Sequence, residues 1–447
     1  MKKRLLVVAF FATALFAAVN VGLAHTAQPL DFHKSFSVTI PEGFVDGTLE
    51  DFPLLVRLSE SGINGFLYSD FRQAGADILV TDANGNQLPY ELENWNPEGE
   101  SRLWVKVPSV SQGTVIKIYY GSDAQMGVVS GMWDGYVGVW HLNESGDGVV
   151  EVGDATVNGL SGTCHETSKA VTSGVLGSAR LITSNGDNNP GFDSGITVDL
   201  SDAGKRSAVD SLAPAFTASF WFRPQKSPAY YEYLISRKAA DGTSAWGLQF
   251  GKDAGEKFNQ IRIYGANGSY FANSATTGTA GAEGVTIASG GMGEWHRLDC
   301  VWTDDAQYHV YVDGVLSASG ELSGNLQAAN GSCNLSIGGA VKPSSGKGGR
   351  GFYGDMDEVR LRAEAVSSAR IAAEWRQESG TVALSYDAVQ DVDALAPVIA
   401  EPSVVRTEDG SFVFSVAVSE NDAAQDSVKC LVNGSEYLMT SDDEDLP

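Results

Sequence analysis

The sequence predicts an all-β chain: one β-sandwich, then a larger one, then part of a third. Three observations carry this. Short runs alternate apolar and polar residues with period two, as half-buried strands require. Turn dipeptides, Asn84-Gly85 and Asp313-Gly314, fall between apolar runs where hairpins need positive φ. Helical periodicity is weak except in one stretch near residues 368–377.

The first 27 residues carry Lys2, Lys3 and Arg4, an apolar run from Leu5 to about Ala18, and small residues around Ala24 and Ala27. This order is that of an export signal, cut near Ala24 or Ala27. A membrane anchor is the alternative, but the apolar run is short for a spanning helix. The expected location is therefore extracytoplasmic: secreted, periplasmic or at the cell surface. No membrane insertion is expected after cleavage.

From Asp31 to about Asp123, SFSVTI alternates Phe36, Val38 and Ile40 against Ser35, Ser37 and Thr39. FPLLVRL sets Phe52, Leu54, Val56 and Leu58 against Pro53, Leu55 and Arg57. ADILVTDANGNQLPYELENW reads as a hairpin, and SRLWVKVP and TVIKIYYG complete a β-sandwich spanning 28–130. The FPLLVRL, ADILVTDANGNQLPYELENW, LWVKVP and IYYG series resembles a bacterial domain of unknown function. That domain occurs in secreted and envelope proteins, often directly before a laminin-G-like domain.

The next unit spans 132–390. It opens on YVGVWHL and continues through GDATVNGLSGT, GVLGSARLI, FTASFWFRP, EWHRLDCVWT, QYHVYVDGVL and CNLSIGG to GFYGDMDEVRL. Blocks of this kind in this order resemble a laminin-G-like, concanavalin A-type jelly roll. The resemblance implies a sandwich used for lectin-like binding, adhesion or, with an added carboxylate set, glycan hydrolysis. One helix is expected from about Ser368 to Gln377, capped by Ser367 or Ser368, with Ile371 and Trp375 on one face. After the acidic linker DAVQDVDAL, the runs SFVFSVAVSE and VKCLVNGSEYLM at 396–447 read as a partial immunoglobulin-like domain, about half the usual length.

The net charge of −26 sets 30 Lys and Arg against 56 Asp and Glu, and loss of the leader's three basic residues makes the balance more acidic. Such a field opposes phosphate backbones and anionic headgroups, which excludes nucleic acid as the expected partner. The four cysteines, Cys164, Cys300, Cys333 and Cys430, lack zinc-type spacing. A disulfide between Cys300 and Cys333 is the candidate, because both bound strands that flank the Asp313-Gly314 hairpin. Sequence leaves the connectivity open.

Asp355, Asp357 and Glu358 lie in the closing block. Alternation puts the two aspartates on one face and Glu358 on the other. They suit calcium as hard oxygen ligands, or they cap loops and fix how the last strand enters the sandwich. No metal is assigned, no cofactor is required, and calcium is the cation that the acids allow. No Glu-x-Asp-x-x-Glu run or Gly-x-Ser-x-Gly elbow is present, so no catalytic residue is assigned. His141, His296 and His309 sit inside strand patterns and read as packing residues, and His165 beside Cys164 is a candidate thiol site against the default of a buried or bridged cysteine.

Tyr230, Tyr231 and Tyr233 in SPAYYEYLIS, with Tyr270 and Phe271, are candidate sugar-stacking rings near inter-strand loops. The expected function is exported, non-catalytic binding of a polysaccharide or surface glycoprotein in recognition or adhesion. A structural spacer of a larger adhesin, or an accessory region of a secreted glycan-active enzyme, is the alternative.

Overall fold

The computed structural model describes residues 4–10, 29–72, 74–122, 130–166, 168–183, 195–225, 232–238, 244–251, 260–265, 293–321, 333–339, 351–392, 398–399, 403–406, 412–419, 428–432 and 435–441. In chain order the strands start with β1 (Arg4–Phe10). The N-terminal sandwich follows: β2 (Lys34–Thr39), β3 (Leu49–Leu58), β4 (Ile78–Asp82), β5 (Tyr90–Asn94), β6 (Ser101–Val110) and β7 (Val115–Tyr120). Then come β8 (Tyr136–Trp140), β9 (Glu151–Val152), β10 (Gly162–Cys164), β11 (Lys169–Val171), β12 (Ala179–Ile182), β13 (Ile196–Val198), helix α1 (Ala203–Asp210), β14 (Phe216–Pro224) and β15 (Glu232–Lys238). The larger unit closes with β16 (Ser244–Gly251), β17 (Gln260–Gly265), β18 (His296–Trp302), β19 (Gln307–Val312), β20 (Val315–Glu321), β21 (Asn334–Ile337) and β22 (Gly354–Arg362). Helix α2 (Ser368–Glu378) leads to β23 (Ser385–Tyr386) and β24 (Gln390–Asp391), and the C-terminal segment holds β25 (Val398–Ile399), β26 (Ser403–Arg406), β27 (Phe412–Ser419), β28 (Val428–Val432) and β29 (Ser435–Ser441).

The N-terminal sandwich packs the sheet β23-β2-β7-β4, with β24 also on β2, against the three-stranded sheet β3-β6-β5. Phe52, Leu54, Val56 and Leu58 of β3 meet Leu103, Val105 and Val107 of β6 and Phe36 and Val38 of β2 in one core, as alternation requires. The Asn84-Gly85 turn forms, with Gly85 at φ +85° and Asp82 accepting from the amides of Asn84 and Asn86. A full hairpin does not follow. Only Thr81 bridges Gln87, after which Pro89, without an amide hydrogen to donate, precedes the entry of β5 into the other sheet.

The larger unit is a jelly-roll sandwich. An eight-stranded sheet, β11-β12-β22-β14-β18-β19-β20 with β8 beside β22, faces the seven-stranded sheet β17-β16-β15-β21-β13-β10-β9. Trp140, Phe216, Phe220, Phe222, Trp246, Phe250 and Trp302 fill the space between them. Asp313 and Gly314 both take positive φ, as a two-residue hairpin turn demands. In the C-terminal segment β28 pairs with β29, and β1 lies antiparallel between β27 and β29. Cleavage at the expected position would remove β1 from that sheet.

Helix α2 starts where expected: Ser367 Oγ accepts the Arg370 amide. The family resemblance leads one to expect such a helix at an end of the jelly roll, but α2 lies between the edge of β3 and the eight-stranded sheet. Pro53 marks β3 as an edge strand, since proline cannot donate to a further ladder. That edge is closed by side chains. Gln377 accepts the Leu55 amide at 3.0 Å and donates to the Pro53 carbonyl at 2.8 Å. Arg370 donates to the Asp51 carbonyl at 3.0 Å, and the Tyr386 hydroxyl accepts the Arg57 amide at 3.1 Å. The strands β23 and β24 then return to β2, so residues beyond the jelly roll complete the N-terminal sandwich.

The opposite side of α2 carries carboxylates into the eight-stranded sheet. Arg297 on β18 is clamped by Asp299, by Glu374 at 2.7 Å and by Glu378, while Arg360 on β22 also binds Glu378. The Trp221 indole donates to Glu378 at 2.6 Å. Burial alone would raise the Glu374 carboxyl, but Arg297, Arg370 and Arg360 hold it down at about 2.

Two outcomes are expected. Gln377→Leu leaves a buried amide and carbonyl unpaired and should cost about 2–4 kcal/mol in chemical denaturation. Arg376→Ala breaks a surface pair with Asp46 and a long hydrogen bond to the Phe44 carbonyl at 3.3 Å, and should cost about 1 kcal/mol. The Glu374 carboxyl is depressed on folding, so its stabilisation is complete above about pH 4.5 and is lost as pH falls toward 2. Urea midpoints measured from pH 5 to 2 should therefore fall less steeply for Glu374→Gln than for the native chain.

Candidate functional site

Between the two sandwiches lies a buried polar cluster set by three local features. The first is alternation in β5, which puts Glu91 and Glu93 on one face, turned away from the N-terminal core. The second is a change of partner along β22: residues 354–356 pair with β12, and residues 359–362 pair with β8. Asp357 and Glu358 fall in the interval. The third is a bulge on the other side of β22, where the register with β14 shifts between Ser219 and Trp221 and Glu358 adopts φ +50°. A left-handed conformation at a glutamate costs about 1–2 kcal/mol, and it re-aims this side chain. His141 follows β8 directly, opposite the interval.

His141 Nδ1 lies 2.9 Å from Glu358 Oε1 and 3.8 Å from Glu93 Oε2, and Nε2 lies 3.3 Å from Glu91 Oε2. Each carboxylate is oriented by further donors. Glu93 accepts from Arg102 at 2.9 Å, from the Trp104 indole at 2.8 Å and from Asn143 at 3.3 Å. Glu358 accepts from Arg360 at 2.6 Å, and Glu91 accepts from the Trp133 indole. The Arg360 guanidinium also rests 4.5 Å from the Trp104 ring centre, and His141 stacks near Trp104. Leu55, Met132, Trp133, Tyr136, Val139 and Leu176 form the apolar collar around Trp104.

Asp357 ties the adjoining loop. Its Oδ2 accepts the amides of Val175 at 2.7 Å and Leu176 at 3.0 Å, while Oδ1 is buried with no hydrogen-bond partner among the described residues. In the same loop Gly177 sits at φ +85° against the Arg102 guanidinium, which a Cβ would meet at 2.5 Å. Burial alone would lower His141, but the Glu358 and Glu93 carboxylates hold it well above the usual histidine range. Burial and the Glu358 charge push Asp357 well up.

The residues named from sequence are distributed differently. Tyr230, Tyr231, Tyr270 and Phe271 lie outside the described residues. Tyr233 is 8 % exposed on β15, so it offers no open ring. Cys300 faces the jelly-roll core on β18, whereas Cys333 stands at the entry to β21 in the other sheet. Cys300 is a free thiol, which corrects the expected pairing with Cys333. Burial pushes the Cys300 thiol well up. Asp355 accepts from Arg223 at 2.7 Å and from Gln225 at 2.6 Å, so the three acids of the closing block have separate partners. His296 bonds Asp313 at 2.8 Å. Sequence reading assigned His141 to packing and missed Glu91 and Glu93; their signal was the i, i+2 spacing of acids in a run otherwise apolar on the same strand.

Residues 194–372 match the model of the concanavalin A-like lectin/glucanases superfamily, and residues 74–132 match that of a domain of unknown function, DUF2341. No curated protein matches the chain. Among solved structures, domain 4 of AbnA, a GH43 extracellular arabinanase from Geobacillus stearothermophilus in complex with arabinotriose, is 18 % identical. The match covers 46 % of this chain and 82 % of that one, at a TM-score of 0.31. Trypanosoma rangeli sialidase in complex with 2,3-difluoro-KDN is 16 % identical over 63 % of this chain and 41 % of its own, at 0.36. A heptameric SAP-like pentraxin from Limulus polyphemus is 14 % identical over 36 % and 70 %, at 0.26. The chain thus joins a laminin-G-like, concanavalin A-type jelly roll to a preceding DUF2341 domain.

Proposed function

We propose that the protein is an exported, non-catalytic module that binds a neutral polysaccharide or the glycan of a surface glycoprotein. The observation that carries this reading is which side of the jelly roll is left for a ligand. The outer face of the eight-stranded sheet holds Trp221, Arg297, Asp299 and Arg360, and α2 with the N-terminal sandwich buries all four. On the seven-stranded sheet the outward Ser236, Gln249 and Ser336 are buried too, so the reading rests on the inter-strand loops, of which the connection from Pro224 to Glu232 carries Tyr230 and Tyr231 in the sequence. Aromatic faces near a sandwich rim suit sugar rings, and a net charge of −26 disfavours polyanions.

Binding is favoured over hydrolysis by the state of the buried acids. Glycoside cleavage uses two carboxyls facing each other across an open cleft, about 5–10 Å apart. Asp299, Asp355 and Glu358 are each committed to an arginine, and Asp357 to backbone amides. The buried junction between the sandwiches also suits a spacer in a larger adhesin, which is the second reading.

A glycan array probed with the purified chain separates the two readings. Binding to neutral polysaccharide, reduced at least about tenfold by Tyr230→Ala with Tyr231→Ala at unchanged Tm, is expected. Absence of binding across the array would leave the spacer, and release of reducing sugar would replace the non-catalytic reading. N-terminal sequencing of the exported protein should begin near residue 25 or 28.

A further inference from the structure

We propose that Glu93, His141 and Glu358 form a metal site that takes one borderline divalent cation, zinc foremost, and clasps the two sandwiches together. Glu93 comes from the N-terminal sandwich, and His141 and Glu358 come from the jelly roll. One donor atom from each lies within 4.8 Å of the others. In a tetrahedral shell with bonds of about 2.1 Å, neighbouring donors stand about 3.4 Å apart. The observed separations from His141 Nδ1, 2.9 Å to Glu358 and 3.8 Å to Glu93, bracket that value.

The surroundings match what a bound ion requires of its second layer. With Nε2 donating to Glu91, loss of the Nδ1 proton leaves the Nδ1 lone pair facing Glu358 and Glu93, the usual carboxylate support of a ligating imidazole. Arg102, Trp104 and Arg360 hold the two ligating carboxylates from behind. Beside the three ligands, the Oδ1 atom of Asp357 is buried with no hydrogen-bond partner among the described residues. An imidazole among the donors favours zinc over calcium or magnesium, which prefer oxygen shells. The Glu91 side chain is 29 % exposed, which leaves an approach from solvent. On binding, the ion takes the place of the proton between Nδ1 and Glu358, and that proton leaves to the buffer.

The test uses the full chain stripped by chelator and titrated with zinc chloride in a calorimeter, then with cobalt followed by visible absorption. The expected result is one equivalent bound at micromolar affinity or tighter, a rise in Tm of about 5 °C or more at saturating zinc, and no competition from millimolar calcium. His141→Gln and Glu93→Gln should each weaken binding at least about a hundredfold, and Glu91→Gln about tenfold, while His165→Gln leaves it unchanged. If a variant fails to fold, the cobalt spectrum of the native chain decides: a d–d band of tetrahedral strength supports the site, and an octahedral aquo-type spectrum overturns it. Zinc binding that survives His141→Gln, or the absence of any zinc-dependent rise in Tm, also overturns it.

Discussion

Glu378 is the carboxylate on which the arrangement of the two sandwiches turns. One of its oxygens meets Arg297 and the Trp221 indole, and the other meets Arg360, so three neighbouring strands of the jelly roll converge on one residue of α2. Each guanidinium is fully buried, and a buried cation is tolerated only when its charge and donors are answered in place. The helix cannot slide or rotate without leaving Arg297 or Arg360 unanswered. Because α2 is fixed to the sheet in this way, Gln377 and Arg370 on its other side are fixed against the free edge of β3.

A sheet edge in water invites pairing with another chain, and most sandwiches blunt it with charges or bulges. Here the edge of β3 is answered atom by atom by side chains that follow the jelly roll. The same economy explains Leu55 and Trp104. Both point away from the N-terminal core, yet both are buried, because the outward face of β3 and β6 is the inner face of the junction. Trp104 serves there as an apolar wall, an indole donor to Glu93 and a ring beneath the Arg360 cation.

What could be read from sequence divides along a physical line. Period two in SFSVTI, FPLLVRL and FTASFWFRP, the Asp313-Gly314 turn and the Ser367 cap are local properties, and the strands, hairpin and helix appear where these place them. The candidate metal site depends on contacts between residues 48 to 265 positions apart, and no local pattern records them. Alternation also misjudged the closing block. A regular strand would send Asp357 and Glu358 to opposite faces, but the bulge at Glu358 and the exchange of β12 for β8 place them in one gap, one gripping a loop and the other meeting His141. The Asn84-Gly85 turn misled in the opposite sense: the turn is real, and the hairpin around it ends after one bridge because the chain changes sheets.

The return of β23 and β24 to β2 makes the jelly roll an insertion within the sandwich that precedes it. A ribosome or a secretion channel delivers β2 long before its two late neighbours exist, since residues 40–384 must be made in between. The earlier sandwich therefore finishes last, with pairings of high sequence separation closing only after the inner unit has brought its ends together. Such nesting also constrains inheritance. A recombination event that cut the chain near residue 130 would separate β2 from β23 and β24 and leave the earlier sandwich without its closing strands.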